Sequence, residues 1–229
     1  TPIEEGQNIR IYDLVLDGNF RNNNIVGSMY GIIFDYTRDS WVRNVRFTRI
    51  REYPFACFSS NAVFVSDNVF VDCGDSIDFA SSEKCYFMNN VIQEPFFWGG
   101  VRFYSNCSDF VVTGNQFFDV IDYSGCIQLQ LCESFRLSGN IMKNVGLGFG
   151  LDQGVNNCTI IQNEVVNADS NGLRIWADDQ DPSSDNVITN NVFVDCALDG
   201  FESDFAQVLL KGESNRNTVQ SNLFRLKNG

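Results

Sequence analysis

Asp152, Arg174, Glu202 and Asp204 are the side chains of this 229-residue sequence best suited to acid–base chemistry. Two carboxyls facing each other across a cleft have the parts for glycosidic cleavage: one protonates the leaving oxygen, the other activates water or attacks the anomeric carbon. Among several acidic neighbours, one carboxyl holds its proton more tightly and becomes the acid. Asp152 with Glu202 or Asp204 is therefore the expected catalytic pair, with Arg174 and Gln130 holding substrate. A different reaction, removal of the proton α to a uronate carboxylate, needs a base such as Arg or Tyr and a cation or protonated acid to neutralise the carboxylate. Arg174, Arg102 and Tyr104 are the candidate bases, and Asp152, Asp178 and Asp179 offer the oxygen ligands that Ca²⁺ prefers. Ca²⁺ is the one ion these residues suggest, and hydrolysis requires no cofactor. In a third reading Asp152, Asp178 and Glu202 only hold a structural cation.

Composition removes several other classes. The sequence has no histidine, which excludes Ser-His-Asp and Cys-His machinery, and its eight cysteines form no C-x-x-C pair, which argues against zinc. A net charge of −13 without a basic stripe excludes nucleic-acid binding. No apolar run approaches ~18 residues, so no membrane-spanning helix is expected. Gly146-Leu-Gly-Phe-Gly150 lacks the following helix and basic residue of a phosphate loop and reads as tight turn backbone. Asn106-Cys-Ser and Asn157-Cys-Thr are chance matches to the glycosylation triplet. Thr1 opens no signal peptide and the first strand begins almost at once, as in a piece of a longer protein with one domain over 1–229.

The elements that must position these residues are repeats. Asparagine followed by apolar residues recurs at Asn19, Asn44, Asn68, Asn90, Asn115, Asn140, Asn163, Asn191 and Asn222, in steps of 25, 24, 22, 25, 25, 23, 28 and 31. Such a period marks a repeat architecture. The 21 phenylalanines, set among Asn, Asp, Ser and Gly, favour short strands joined by tight turns. In one repeat Val101 and Phe103 alternate with Arg102 and Tyr104, a turn follows over 105–109, and strands follow at 110–112 and 116–118. Three strands make one coil. Stacked coils bring like positions into ladders: the asparagines, whose amides bond the copies above and below, and Cys85, Cys107, Cys132 and Cys158, read as small thiols filling a core.

This pattern resembles the right-handed parallel β-helix of the pectate-lyase-like superfamily across essentially the whole chain, for example in the segments 8–19 and 75–82. The resemblance implies an all-β, single-stranded solenoid of about nine coils. It extends to polysaccharide lyases, glycoside hydrolases and phage tailspikes, and so implies a polysaccharide or oligosaccharide partner, an extracellular or virion-associated location and, from the viral relatives, a homotrimer. Fold alone does not fix the reaction. Gly172-Leu-Arg-Ile-Trp176 is similar to the Gly-x-Arg-Ile-Lys segment of polygalacturonases, but that family's histidine is missing and Trp replaces Lys.

In proteins of this resemblance the ligand groove runs along the first strand of each coil. Counting back from each asparagine gives one outward column of Ile33, Cys57, Asp78, Arg102, Gln128, Gly150 and Arg174, and a second of Asp35, Ser59, Ala80, Tyr104, Gln130, Asp152 and Trp176. Asp78, Arg102, Tyr104, Gln128, Gln130 and Trp176 are the expected substrate-binding residues, since sugar hydroxyls pair with planar polar groups while sugar C–H faces stack on aromatic rings. Trp98, in Glu94-Pro-Phe-Phe-Trp98, is a further stacking platform or a contact with another subunit. The two longest steps carry acidic insertions at 178–185 and 198–205, both expected beside the groove. The last coil places its first strand at 207–211, with Val208 and Leu210 inward, or alternatively at 201–205.

Overall fold

The computed structural model describes residues 6–20, 29–95, 99–121, 125–197 and 206–226. Every strand pair in it is parallel, and the described residues wind as a solenoid of strands with no α-helix among them. The first strands are Ile32–Asp35, Phe55–Phe58, Ile77–Ala80, Val101–Tyr104, Ile127–Gln130, Phe149–Asp152, Leu173–Ala177 and Val208–Gly212. They form one eight-stranded sheet, one strand per coil. Eight coils therefore carry a first strand among the described residues, against the nine expected. The second and third strands of the coils join a single 17-stranded sheet that wraps the other sides.

The interior is built from the inward half of each alternation. Phe79 stacks on Phe103 with centroids 5.0 Å apart, and Phe110 on Phe135 at 4.9 Å. All eight cysteine thiols are free and buried. The expected cysteine ladder is in fact two columns. The isolated bridges Glu83↔Ser108 and Ser108↔Glu133 put Ser82, Cys107 and Cys132 in one, whereas Cys85 and Cys158 share another with Phe110 and Phe135.

The asparagine ladder runs unbroken from Asn68 to Asn222. At each step the Oδ1 of one asparagine accepts both the backbone N–H and the Nδ2 of its counterpart one coil earlier, as Asn115 does for Asn90 at 2.9 and 3.1 Å. The corner residue just before each ladder asparagine has positive φ, from Asp67 (57°) to Ser221 (54°), which turns the chain sharply between second and third strands. Asn19 and Asn44 do not join. Asn44 itself occupies the left-handed corner (φ 52°), so Val45 stands at the ladder position and donates its N–H to Asn68. The amide of Asn44 instead points outward to Asp13.

Two register points bear on the groove. Ala56, not Cys57, pairs with Ile33 and Asp78, while Cys57 aligns with Phe34 and Phe79 inside the core. Phe58 correspondingly replaces Ser59 in the second column. Turns between first strand and ladder asparagine vary by a residue, and a one-residue slip moves a side chain to the opposite face. In the last coil Val208 pairs with Leu173 and Leu210 with Ile175, as the 207–211 register requires; residues 201–205 lie outside the described residues.

Candidate functional site

Along the outward face of the first strands, two clusters each pair an arginine with a carboxylate beside an aromatic ring, in different registers. In the first, Asp78 is completely buried in the sheet and Arg102, one coil later in the same column, clamps it with Nη2 to Oδ2 at 2.6 Å and Nε to Oδ1 at 3.2 Å. Ser76 donates to the same carboxylate at 2.6 Å. Arg102 lies over the ring of Tyr104, two positions along its own strand, at 5.0 Å. Two-pronged Arg–carboxylate pairing of this kind is among the stronger and more directional polar contacts.

Burial raises the Asp78 carboxyl above its ordinary value, and the hydrogen bonds and charge of Arg102 only partly offset it. Burial, with the nearby Asp78 charge, pushes the Tyr104 phenol up to about 12. Tyr53 is raised in the same way, burial first and then Asp78 and Asp75. Both phenols stay protonated at neutral pH. Tyr53 stacks on Tyr30 at 5.7 Å with nearly parallel rings.

The second cluster lies three coils further on. Arg174 contacts both oxygens of Asp152, Nη2 at 3.0 Å to each and Nε at 3.2 Å to Oδ1, and its guanidinium sits 6.0 Å from the ring of Trp176. Gln128 donates to Asp152 Oδ2 at 3.3 Å. Trp176 is 49% exposed, the open ring of the group. Gln130 donates to Gln153, and Gln153 to Asp178. Within the second cluster Gly150, on the strand of Asp152 and opposite Arg174, leaves its column position without a side chain.

The expected substrate-binding residues Asp78, Arg102 and Tyr104 thus form one cluster, and Gln128, Asp152, Arg174 and Trp176 another, with Gln130 at the edge of the second. Trp98, Glu202 and Asp204 lie outside the described residues. Asp178 accepts the backbone N–H groups of Gln180 and Asp181 at 3.0 Å each; these bonds, that from Asp181 foremost, hold its carboxyl below the ordinary value. It is engaged in a turn, with Asp179 exposed beside it, and no group of three or more His, Cys, Asp or Glu suited to a metal occurs among the described residues. The inserted loop 178–185 walls a polar cleft of about 690 Å³ lined by Ser108, Glu133, Asn156 and Gln180. Tyr53, Ser76 and Gln153 escape a reading confined to strand columns, because all three sit in turns. The Tyr53-Pro54 step just before a first strand is the signal that marks such a turn.

The sequence model of the NosD family, described as a periplasmic copper-binding protein, matches residues 58–228. The chain belongs to the NosD family. No curated protein sequence matches it. Solved structures similar to this NosD chain include the A-modules of the Azotobacter vinelandii mannuronan C-5 epimerases AlgE6 and AlgE4. AlgE6 has a TM-score of 0.66 at 16% identity, covering 98% of this chain and 74% of that one. AlgE4 has 0.64 at 17%, covering 97% and 71%. A hyperthermoactive exopolygalacturonase from Thermotoga maritima gives 0.60 at 13%, covering 86% of this chain and 55% of the other. These likenesses establish the right-handed parallel β-helix.

The copper in the NosD description asks for imidazole, thiolate or thioether ligands. This NosD chain has no histidine. Its eight thiols are buried, and no three His, Cys, Asp or Glu suited to a metal come together among the described residues. The residues present do not fit a copper centre.

Proposed function

We propose that this protein binds an extended polysaccharide along its first-strand face, outside the cytoplasm as the family description implies for its relatives. One observation carries the reading: an arginine paired with a carboxylate beside an aromatic ring occurs twice on one face, with the carboxylate in the arginine's own column in the first cluster and in the neighbouring column in the second. Arg102–Asp78–Tyr104 and Arg174–Asp152–Trp176 stand three coils apart, roughly 14 Å at about 4.8 Å per coil. Such planar groups suit paired sugar hydroxyls, and the rings suit sugar C–H faces. Each arginine is matched by its own carboxylate, so the units present directed donors with little net charge.

Cleavage belongs to the same reading and rests on Asp152 with Glu202 or Asp204. Asp78 cannot be the second carboxyl for Asp152, since three coils exceed the roughly 5–9.5 Å that separates glycosidase carboxyls. Arg174 and Gln128 bond the oxygens of Asp152 and fix its orientation, and the second carboxyl of the pair comes from the acidic insertion. Elimination on a uronate is the weaker alternative. Its base would be Arg102, Arg174 or Tyr104, but both guanidiniums are paired and the phenol is held protonated.

The test is a panel of neutral and uronic polysaccharides, followed by reducing ends, by absorbance of unsaturated uronates and by calorimetric binding. Reducing ends without unsaturation support hydrolysis, and binding without either supports a recognition module. No binding to any polymer overturns the proposal.

A further inference from the structure

Cys107 and Cys132 are the only two of the eight cysteines at the same position of consecutive coils, fixed there by the parallel bridge between Ser108 and Glu133. Neighbouring coils stand roughly 4.8 Å apart, inside the Cα separation of about 4.4–6.8 Å that a disulfide spans. The thiols already lean across the step. Cys132 Sγ reaches the Phe103 carbonyl at 3.3 Å, in the coil of Cys107, and Cys107 Sγ reaches the Phe79 carbonyl at 3.4 Å, one coil further. A rotation of the Cys107 side chain turns its sulfur back toward Cys132.

We infer that Cys107 and Cys132 form a reversible disulfide that staples two coils directly beneath the polysaccharide-binding face. Cys107 stands three positions after Tyr104 and Cys132 two positions after Gln130, so the staple joins the coil of the first recognition unit to the next. The oxidant is a small disulfide such as oxidised glutathione. The Cys107 thiolate attacks one sulfur of that reagent and expels a thiolate. Cys132, losing its proton, then attacks the Cys107 sulfur and releases the second thiol. The two protons of the cysteine thiols end on the two released reagent thiols, the reagent S–S bond is replaced by one protein S–S bond, and two electrons pass to the reagent.

Two features bear on this chemistry. The hydrogen bond from Cys132 lowers the Cys107 thiol below its ordinary value, the direction that favours a thiolate at Cys107 first. Both residues border the cleft beside the 178–185 loop but are buried in the folded coil, so the reagent meets them during folding, before the coils close. Cys57, Cys73, Cys85, Cys126, Cys158 and Cys196 have no cysteine at the matching position of the next coil.

The full chain, reduced and unfolded, is refolded in a glutathione redox buffer, and free thiols are counted in denaturant with and without reductant. The expected result is a loss of two of the eight thiols and a reductant-sensitive link between chymotryptic peptides carrying Cys107 and Cys132. Cys107→Ser and Cys132→Ser each retain all seven remaining thiols; both fold, because serine already stands in this column at Ser60 and Ser82. Eight free thiols in the wild type, a link through any other cysteine, or a two-thiol loss persisting in Cys107→Ser overturns the inference.

Discussion

Replacing Arg102 by methionine tests whether the first recognition unit is the buried ion pair that its geometry describes. The substitution keeps much of the apolar stem but leaves the Asp78 carboxylate, with no exposed surface, facing only Ser76 and the tyrosines. Breaking a buried pair by removing one partner costs about 3–5 kcal/mol. Arg102 is 35% exposed, so water reaches the pair from its side and the lower end, about 3 kcal/mol, is expected. Asp78→Asn in the same background removes the stranded charge and should restore a large part of the loss. Arg43→Met is the contrast: the Arg43–Asp67 pair, at 3.0 Å, lies in water on both sides, and its loss should not be measurable.

The same variant makes a pH prediction. The Asp78 carboxyl in the folded protein is already raised above 3.8, and losing Arg102 raises it further. A folded carboxyl above its unfolded value contributes stability that is full below the unfolded value and is lost as pH rises through the folded one. The deficit of Arg102→Met relative to Arg102→Met/Asp78→Asn should therefore be small near pH 4 and grow toward pH 8. Urea unfolding at several pH values measures it. A neutral-pH deficit under about 1 kcal/mol, or one that ignores pH, would refute the account of Asp78 as a desolvated partner held by Arg102.

Three other outcomes are expected. Asn115→Ala strands the buried Asn90 N–H and Phe87 carbonyl and should cost about 4 kcal/mol by chemical unfolding, whereas Asn44→Gly, which keeps the left-handed corner, should cost about 0.5 kcal/mol or less. Arg102→Ala and Arg174→Ala should each weaken binding of a long polysaccharide by roughly tenfold, and together by far more than either alone, as for two sites on one polymer; calorimetry decides. Trp176→Ala should weaken the same binding by roughly fivefold without changing stability, since its ring is half exposed.

The repeat itself was legible because its chemistry recurs: an amide at a corner, an apolar pair after it, an alternating strand a dozen residues before. That pattern alone set the class of fold, the parallel stacking and most of the outward columns, including Asp78, Arg102, Gln128, Asp152, Arg174 and Trp176. It could not tell Asn44 from Asn68. Both precede a valine, yet one residue of turn length puts the first in solvent and the second in a buried ladder. The same single-residue freedom exchanged Cys57 for Ala56 in the groove, since alternation converts any slip into a change of face. Only the tertiary structure decided which arginine holds which carboxylate and that Tyr53 leans in from a turn. It also put Cys107 one coil from Cys132 and Cys85 in another column. Such contacts join residues about 25 apart, and they depend on the register of coils and on burial, neither of which a local pattern carries.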